Sequence, residues 1–414
     1  MEPFMRKKLT IASLVSLCAV PSLIPTQDAS ALPVFARKYG TSCYTCHSGF
    51  PQRNAFGEAF KNNGYRWPGG EDEDKTKQDQ LKMGADGWKK TFPESPWPAE
   101  IPGYAPVAVF MSGNLYEYAT STENRSETPI TAQKSQWGTS VMNSAAIYFA
   151  GTMGENLSAF AQYTGATSTA AGQLVWNFRP GLKVAFGSGT GFNDLNWGNA
   201  TNFNVGFVSG LVPSFGTGAE IVYIPKEQVK LSAGIAQAGT AVTNSMADSK
   251  YFRAKYKIGG AGLLSGAGGT YGNEFVGLDN NITIGATAFS AAPGTATGNF
   301  LNNGAAERFV WETDITGSYG NFLGAVGYSR STNLALDNYK AEVGYFLYPW
   351  LKGSVAYTGM KNAEVPTLAF KLTTHVRANA YLTATYTMQN KEWPLVSTTT
   401  NTANTFNVGG GFAF

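Results

Sequence analysis

From about residue 106 to its end, the chain alternates between apolar and polar positions. In one stretch, Phe309, Trp311 and Ile315 share a face that lies opposite to Glu312 and Asp314. A period of two residues predicts β-strands, because successive side chains of a strand point to opposite faces. The polar positions carry little charge, whereas the polar face of a soluble β-sandwich would carry more. Apolar residues towards lipid and polar residues towards a lumen are typical of a transmembrane β-barrel.

Short strands of this kind account for most of the chain. We predict sixteen of them, near residues 106–117, 139–149, 156–165, 170–178, 182–189, 217–224, 229–237, 249–258, 280–289, 307–317, 321–331, 337–346, 351–360, 367–373, 378–389 and 404–414. An extra hairpin could lie within residues 190–216 or 259–279. After the N-terminus no stretch has the ~20 apolar residues of a spanning helix, so a membrane location requires a closed barrel. Barrels of 16–18 strands enclose an aqueous lumen.

The connections between the predicted strands differ in length. Short turns are expected at residues 179–181, 225–228, 318–321, 347–350 and 374–377, and longer polar loops at 120–137, 190–216, 290–306 and 390–403. Short turns on one side and long loops on the other are typical of outer-membrane barrels. Aromatic residues beside the turns predict an interfacial girdle; they are Trp176, Phe178, Tyr223, Tyr348 and Trp350. An even strand number puts both barrel ends on the periplasmic side, and an alternating end at Phe414 resembles the recognition signal of such barrels.

Composition narrows the class of protein further. Only 14% of the residues are charged, the net charge is +3, and there are 48 glycines. A soluble enzyme carries roughly 25% charged residues. The mature chain has no run of lysine or arginine, which argues against nucleic acid as a partner.

The first 31 residues have the organisation of an export signal. Basic residues at 6–8 precede an apolar stretch at 9–24, and Ala29-Ser30-Ala31 fits the small-residue cleavage rule. We therefore expect a cleaved signal peptide, a mature chain that begins at Leu32, and a location in the outer membrane of a Gram-negative bacterium. The alternative is an uncleaved anchor, which the shortness of the apolar stretch and Pro21 disfavour.

Two further units precede the barrel, which we assign to residues 105–414. Residues 32–70 are expected to be compact, with a helix at 51–62 that places Phe56 and Phe60 on one face. Residues 71–104 combine a charged run with several prolines and are predicted to form an extended linker.

The compact unit contains the sequence Cys43-Tyr44-Thr45-Cys46-His47, the C-x-x-C-H pattern of c-type haem attachment. The two thiols add to the two vinyl groups of haem, and the next residue, His47, binds the iron. The sequence therefore predicts one covalent haem c. Attachment outside the cytoplasm agrees with the expected export.

Paired cysteines at this spacing also occur in redox, zinc and disulfide sites, which fit this chain less well. A thioredoxin-like redox pair needs its own α/β domain, which about 40 residues do not provide. A zinc site needs more ligands, and the mature chain has no further cysteine. A disulfide across two residues would be strained and would leave His47 unexplained.

The remaining haem contacts are less specific in the sequence. Phe50, Phe56 and Phe60 are candidates for packing against the haem, although a small core around the helix needs the same residues. The second axial ligand of the iron stays open between His375 and Met83. His375 would share the polar phase of a long strand, but we expect Thr374–Arg377 to form a periplasmic turn.

A resemblance to a known family rests on this part of the chain. The matching segments are Phe35-Ala36-Arg37, Cys43 to His47, Phe50-Pro51, Asn54-Ala55-Phe56-Gly57, Phe60-Lys61 and Gly64-Tyr65. The chain resembles the fused monohaem c-type cytochrome–porins of the outer membrane, best known as the Fe(II) oxidases of iron-oxidising bacteria. Glu58 stands where the iron-oxidase pattern has an arginine, which would fit a sister branch.

The resemblance implies a haem segment in or at the barrel mouth that passes electrons from an extracellular donor to periplasmic carriers. Fe(II) is the leading donor. The alternatives are a conduit for another extracellular donor or acceptor, and a diffusion porin with a haem-containing plug. Acidic residues on the polar phase could draw cations inward; they are Glu220, Glu312, Asp314 and Glu342. Lysines on the same phase oppose this effect; they are Lys183, Lys230, Lys340, Lys352 and Lys371.

Overall fold

The computed structural model describes sixteen strands of a barrel and a small unit that precedes them. The described residues are 33–49, 52–70, 76, 80–82, 90–91, 100–103, 105–122, 135–165, 169–188, 215–238, 249–266, 271–273, 277–291, 308–331, 336–360, 364–377, 379–389 and 402–414. Within these residues, no helix is both long and apolar enough to cross a membrane.

The elements follow in chain order. The helices are α1 (Pro33–Tyr39) and α2 (Ala55–Asn62), with single 3-10 turns at Cys43–Thr45 and Pro68–Gly70. The strands are β1 (His47–Gly49), β2 (Gln52–Arg53), β3 (Gln80–Lys82), β4 (Glu100–Pro102), β5 (Val107–Thr122), β6 (Ser135–Met153), β7 (Leu157–Thr164), β8 (Thr169–Arg179), β9 (Leu182–Ser188), β10 (Phe215–Lys226), β11 (Val229–Ala238), β12 (Ser249–Gly259), β13 (Tyr271–Asn273), β14 (Leu278–Asp279), β15 (Asn281–Ala291), β16 (Arg308–Tyr319), β17 (Phe322–Ser331), β18 (Leu336–Tyr348), β19 (Leu351–Met360), β20 (Glu364–Arg377), β21 (Ala380–Gln389) and β22 (Thr402–Ala413).

Sixteen strands, β5–β12 and β15–β22, form one closed antiparallel barrel. Each barrel strand pairs with the next barrel strand along the chain, and β22 closes the barrel against β5, for example through Phe412 opposite Met111. The predicted number of strands and the predicted fold class are both confirmed. Closure matters physically, because it leaves no strand edge with unpaired backbone groups in the bilayer.

The two faces of the barrel have opposite character. In β17, Val326 is 59% exposed on the outer surface, whereas Leu323 and Ala325 on the inner phase are buried. Ionisable residues on the inner phase are buried in the lumen, among them Arg253 and Glu342. An apolar exterior around a polar interior is the arrangement of a transmembrane barrel.

Short turns gather at one end of the barrel, together with the start of β5 and the end of β22. Aromatic side chains lie beside these turns, as predicted: Trp176 stacks on Phe178 with ring centroids 4.4 Å apart, and Tyr348 stacks on Trp350 at 5.3 Å. The longer loops predicted at the opposite end lie largely outside the described residues. So do the expected signal peptide and most of the linker.

The structure settles one open sequence prediction, the extra hairpin, and corrects another, the turn at Thr374–Arg377. A hairpin does occur within the connection from β12 to β15, but its strands β13 and β14 pair only with each other and are not part of the barrel sheet. Leu278 of β14 packs against Leu323 and Phe346 of the wall. The prediction that Thr374–Arg377 forms a turn is wrong. Strand β20 continues to Arg377, and His375 lies opposite Tyr381 in the ladder with β21. Strand β20 extends beyond the predicted end at residue 373. The side chains of Thr373 and His375 are both buried on its inner face, so the alternation of the strand continues to this point.

The N-terminal segment, defined as residues 33–49 and 52–70, lies against the inner wall at the short-turn end. It shares a core with the barrel, in which Val34, Phe35 and Phe60 pack with Ala108 and Ala150 of the wall. Hydrogen bonds of 2.6–3.0 Å join Lys38 to Thr152, Gly64 to Ser158, Tyr65 to Gln173, Lys61 to Lys183 and Asn62 to Lys230. Because these partners lie on five of the strands, the segment is fixed in the lumen.

Candidate haem site

The C-x-x-C-H motif folds as one tight turn that its own neighbours hold in place. Ser42 caps the 3-10 turn by accepting from the backbone N–H of Tyr44, and the Cys46 N–H donates to the Cys43 carbonyl over 3.1 Å. The side-chain amide of Asn54 donates to the carbonyls of Tyr44 and Thr45 over 2.9 and 3.1 Å. These hydrogen bonds within the segment hold the turn in its shape.

Asn54 also organises the helix that follows. Its side-chain oxygen accepts from the Gly57 N–H over 2.9 Å, so it is the N-cap of α2. The predicted start of this helix at residue 51 is wrong, because Gln52 and Arg53 pair with β1 instead. Its predicted end is right: the helix ends at Asn62, and Gly64 adopts a left-handed φ of 66°.

The imidazole of His47 is oriented by the same turn. Its Nδ1 lies 3.2 Å from the backbone carbonyl of Gln52, which can only accept a hydrogen bond. This contact places the proton on Nδ1 and leaves Nε2 with its lone pair. A histidine held in this way is suited to bind a metal through Nε2.

A cavity opens beside His47. It borders about 890 Å³ of atom-free space, part of which is open solvent. Its lining residues are Phe35, Ala36, Tyr39, Thr41, Ser42, Cys46, His47, Arg53, Phe56, Gly57, Phe60, Lys61, Tyr65, Trp67 and Phe160. Most of this lining is apolar or aromatic, with two cationic side chains, so a flat apolar ligand with anionic groups would fit its chemistry.

Aromatic rings build the walls of the cavity in a connected cluster. Tyr65 stacks between Phe35 and Phe160, with ring centroids 5.7 Å apart on each side. Its backbone has a φ of 64°, which for a residue other than glycine costs about 1 kcal/mol. Its hydroxyl accepts from Gln173 of the barrel wall over 2.8 Å. Phe160 and Gln173 both belong to the barrel. Phe160 lines the cavity and Gln173 holds Tyr65, so the cavity is complete only where the segment lies against the lumen wall.

Close packing keeps the motif against α2. A Cβ atom on Gly57 would overlap the Cys46 carbonyl oxygen, so only glycine allows this approach. The helix and the motif thus form one unit.

The two thiols are not reactive thiolates in this environment. Burial raises the pKa of both Cys43 and Cys46 to about 12. Protonated thiols at neutral pH do not suit a thiolate metal site or a redox-active pair. Within the described residues, no group of three or more histidine, cysteine, aspartate or glutamate side chains could hold a metal ion by itself.

The structure places some of the predicted site residues at the cavity and others away from it. Phe56 and Phe60 both line the cavity with His47, as proposed. His375 is buried at 4% exposure in the lumen wall, but it does not line this cavity. Phe50 and Met83 lie outside the described residues.

Five aromatic lining residues were not predicted as haem contacts from the sequence: Phe35, Tyr39, Tyr65, Trp67 and Phe160. Tyr65 could have been found, because it directly follows the glycine that ends the helix. Phe160 could not, since only the position of the segment in the lumen brings it to the motif.

The acidic residues proposed to draw cations inward have cationic or hydrogen-bonding neighbours. Arg253 lies 2.7 Å from Asp314 and 3.5 Å from Glu312, and all three side chains are buried. Glu220 accepts a hydrogen bond from the Tyr251 hydroxyl. These contacts weaken the prediction that the acids attract cations from solution.

Comparisons with known proteins list porins and an outer-membrane protein among the solved structures. No protein-family model matches the chain, and no curated protein matches it significantly. Among solved structures, a Salmonella typhi OmpF complex with daunomycin is 12% identical over 74% of this chain and 97% of its own, with a TM-score of 0.48. A mutant porin of Rh. blastica is 10% identical over 74% of this chain and all of its own length (100%), with a TM-score of 0.43. OmpT of Vibrio cholerae with loop L8 deleted is 14% identical, with a TM-score of 0.40 over 75% of this chain and 100% of its own. The barrel described above is established by its own strand pairing.

Proposed function

We propose that this protein is an outer-membrane cytochrome–porin, which carries one covalent haem c in its lumen and transfers electrons between an extracellular donor and periplasmic carriers. Fe(II) is the leading candidate for the donor. The observation that carries the proposal is the C-x-x-C-H motif beside an aromatic cavity inside a closed barrel.

The residues around the cavity fit the chemistry of haem c. Cys43 and Cys46 would form the thioether bonds, and His47 would bind the iron through Nε2, which its hydrogen bond to Gln52 leaves unprotonated. Haem c, when bound, supplies a one-electron carrier whose potential depends on its axial ligands and on its burial. The aromatic walls would exclude water from that carrier. Electron transfer of this outer-sphere kind needs no catalytic residue.

The position of the cavity bears on the kind of donor. Phe160 follows the first residue of β7, Leu157, by three positions, or about 10 Å at ~3.3 Å per residue. The apolar band of such barrels is about 25 Å tall. The site therefore lies nearer to the short-turn end, which is the periplasmic end in outer-membrane barrels. A donor from outside has to enter the lumen to reach it, which favours a soluble donor such as Fe(II) over an insoluble one.

A diffusion porin with a haem-containing plug is the second candidate. The strand number favours it, because sixteen strands enclose an aqueous lumen. The N-terminal segment, docked across several strands, argues against free passage. Conductance in planar bilayers separates the two functions: a silent barrel agrees with the conduit, and a constantly open pore favours the porin.

Attachment of the haem is tested with the Cys43→Ser, Cys46→Ser double variant. We expect haem-stained gels and the intact mass to show covalent haem in the wild type and none in the variant. Tyr44→Phe, which changes an exposed position between the two cysteines, is the matched control and should retain the haem. Covalent haem in the double variant would refute the assignment.

The donor is tested by adding Fe(II) to the purified, oxidised protein at neutral pH. The α-band of reduced haem c should appear. If it stays absent with Fe(II) but appears with another reductant, the conduit serves another extracellular donor or acceptor.

A further inference from the structure

One connection at the short-turn end is much longer than the tight turns beside it. Tight turns join β8 to β9 and β16 to β17, whereas residues 260–280 lie between β12 and β15. We call residues 260–266 of this connection the inner loop. Leu263 of the inner loop packs against Val222 and Ile224, which are buried on the inner face of β10. The inner loop therefore lies within the mouth of the barrel.

Two carboxylates hold the ends of the inner loop. Asp279, the last residue of β14, accepts from the Ala261 N–H over 2.6 Å. Glu227, in the turn between β10 and β11, accepts from the N–H groups of Leu264 and Ser265 over 2.8 and 3.2 Å. Because hydrogen bonds to an ionised acceptor are roughly twice as strong as neutral ones, these contacts fix the backbone of the loop.

Leu263 and Leu264 of the inner loop connect the barrel to α2. Their N–H groups face Glu227: Leu263 donates to its backbone carbonyl over 2.9 Å, and Leu264 donates to its carboxylate. Their carbonyls face α2 and accept from the side-chain amides of Asn62 and Asn63 over 2.9 and 2.6 Å. A turn of the barrel is thus connected to the end of the helix through two residues.

The end of α2 is held from both sides. The side-chain nitrogen of Asn62 donates to the inner loop, and its side-chain oxygen accepts from Lys230 of β11 over 2.6 Å. About one helical turn earlier, a Cβ atom on Gly266 of the loop would come within 3.0 Å of the Ala59 Cβ. The end of α2 is therefore enclosed between the wall and the inner loop.

The position of the inner loop determines how the N-terminal segment can leave the lumen. Glu227 lies in a turn at the mouth, whereas the segment reaches further inwards, where the Tyr65 hydroxyl accepts from Gln173 of β8. A helix enclosed in this way is withdrawn only after the loop has moved. We propose that the inner loop is a latch, fastened by Glu227 and Asp279, that keeps the N-terminal segment in the lumen.

The latch gives the lumen two states. Sixteen strands enclose an aqueous lumen, so the docked segment closes the barrel and release of the latch opens it. The inference goes beyond the proposed function and needs no haem, because all of its contacts are made within this chain.

Glu227→Ala in the full-length protein, purified in detergent micelles, tests the latch. It removes the acceptor of two N–H groups of the inner loop. Lys38 and Lys61 are buried in the docked segment, so trypsin reaches them only after undocking. We expect cleavage at these lysines to be about tenfold faster than in the wild type, since loss of a charge-assisted hydrogen bond changes an equilibrium by roughly that factor and cleavage follows the undocked population.

Asn63→Ala breaks the same connection from the side of the segment and leaves the sequence of the barrel unchanged. It should also accelerate the cleavage. Glu155→Ala is the matched control, because Glu155 is an exposed glutamate in the turn between β6 and β7 at the same end. Wild-type cleavage rates in both Glu227→Ala and Asn63→Ala would overturn the proposal, and so would an equal acceleration by Glu155→Ala.

Planar bilayers test the second state of the lumen. Both latch variants should show open channels about tenfold more often than the wild type. Faster cleavage without added conductance would overturn the role of the latch in closing the barrel. The haem content of the same samples, measured by intact mass, is a separate result: absence of covalent haem would refute the proposed function and leave the latch in place.

Discussion

Aromatic side chains point inwards to a core in the N-terminal segment and outwards from the wall in the barrel. In the segment, Phe35, Tyr39 and Phe60 point into a shared core. In the barrel, Phe322 and Trp350 point outwards and are about half exposed, at 54% and 47%. The hydrophobic effect is the same in both regions, but the surroundings differ. The segment excludes water from a cavity, whereas the barrel offers its apolar face to lipid, and ionisable groups collect in the space between them.

The largest expected effect concerns the ionisable groups of that space. Arg253→Ala would leave Asp314 and Glu312 buried without their cation, at a cost of about 3–5 kcal/mol. Arg53→Ala breaks a pair whose side chains are 18% and 26% exposed, and should cost about 1 kcal/mol or less. Urea unfolding of the barrel in vesicles measures both. Equal costs would mean that the lumen is as well solvated at Arg253 as at Arg53.

The next effect tests how tightly the segment is packed. Gly57→Ala would push a Cβ atom into the Cys46 carbonyl oxygen, so the motif and α2 must separate. We expect a loss of about 3 kcal/mol for the segment and a large drop in covalent haem. Gly324→Ala, where a Cβ would meet nothing within 4 Å, is the control. Normal haem content in Gly57→Ala would show that the turn tolerates expansion.

The lipid-facing side of the comparison is tested by Val326→Lys. A lysine on the outer surface near the middle of β17 should cost about 2 kcal/mol, because it replaces an apolar contact with lipid by a charge. The matched change Gln162→Lys puts the same charge on the inner, polar phase of β7 and should cost little. Heat-modifiability on gels and urea titration measure the folded fraction. Similar stability for the two variants would mean that the outer face is not in lipid.

The smallest effect concerns the N-cap of the segment. Asn54→Ala removes the acceptor for the Gly57 N–H and the donors to two carbonyls of the motif. A loss of about 1 kcal/mol is typical of such a cap. Asn54→Asp keeps the cap but not the two donors, so comparing the variants by thermal unfolding separates the two roles. If Asn54→Asp is as unstable as Asn54→Ala, the donors to the motif carry the effect.

The barrel was predictable because its information is local. A strand shows its two faces through a period of two residues, and sixteen such segments with short turns between them lead to closure. The C-x-x-C-H motif is equally local, since its chemistry depends on five consecutive residues. The excess of apolar over charged residues then indicates that the outer face of the barrel contacts lipid.

Other features depend on residues that are far apart in the chain. Nothing near Phe160 in the sequence indicates that it faces the motif. The turn predicted at His375 was wrong because the pairing of β20 with β21, which keeps His375 opposite Tyr381, is not visible in the local sequence. The cavity beside His47 combines Phe35 and Phe60 of the segment with Phe160 of the wall.

The sequence by itself therefore determined a sixteen-strand barrel with a C-x-x-C-H motif in front of it. Only the tertiary structure decided that the motif lies inside the lumen, near the short-turn end, beside an aromatic cavity that a barrel residue, Phe160, helps to line. The physical reason is that periodicity and motif spacing are properties of neighbouring residues. Docking instead depends on hydrogen bonds and packing between a segment and a wall that are separated by tens to hundreds of residues, as in the contact of Asn62 with Leu263.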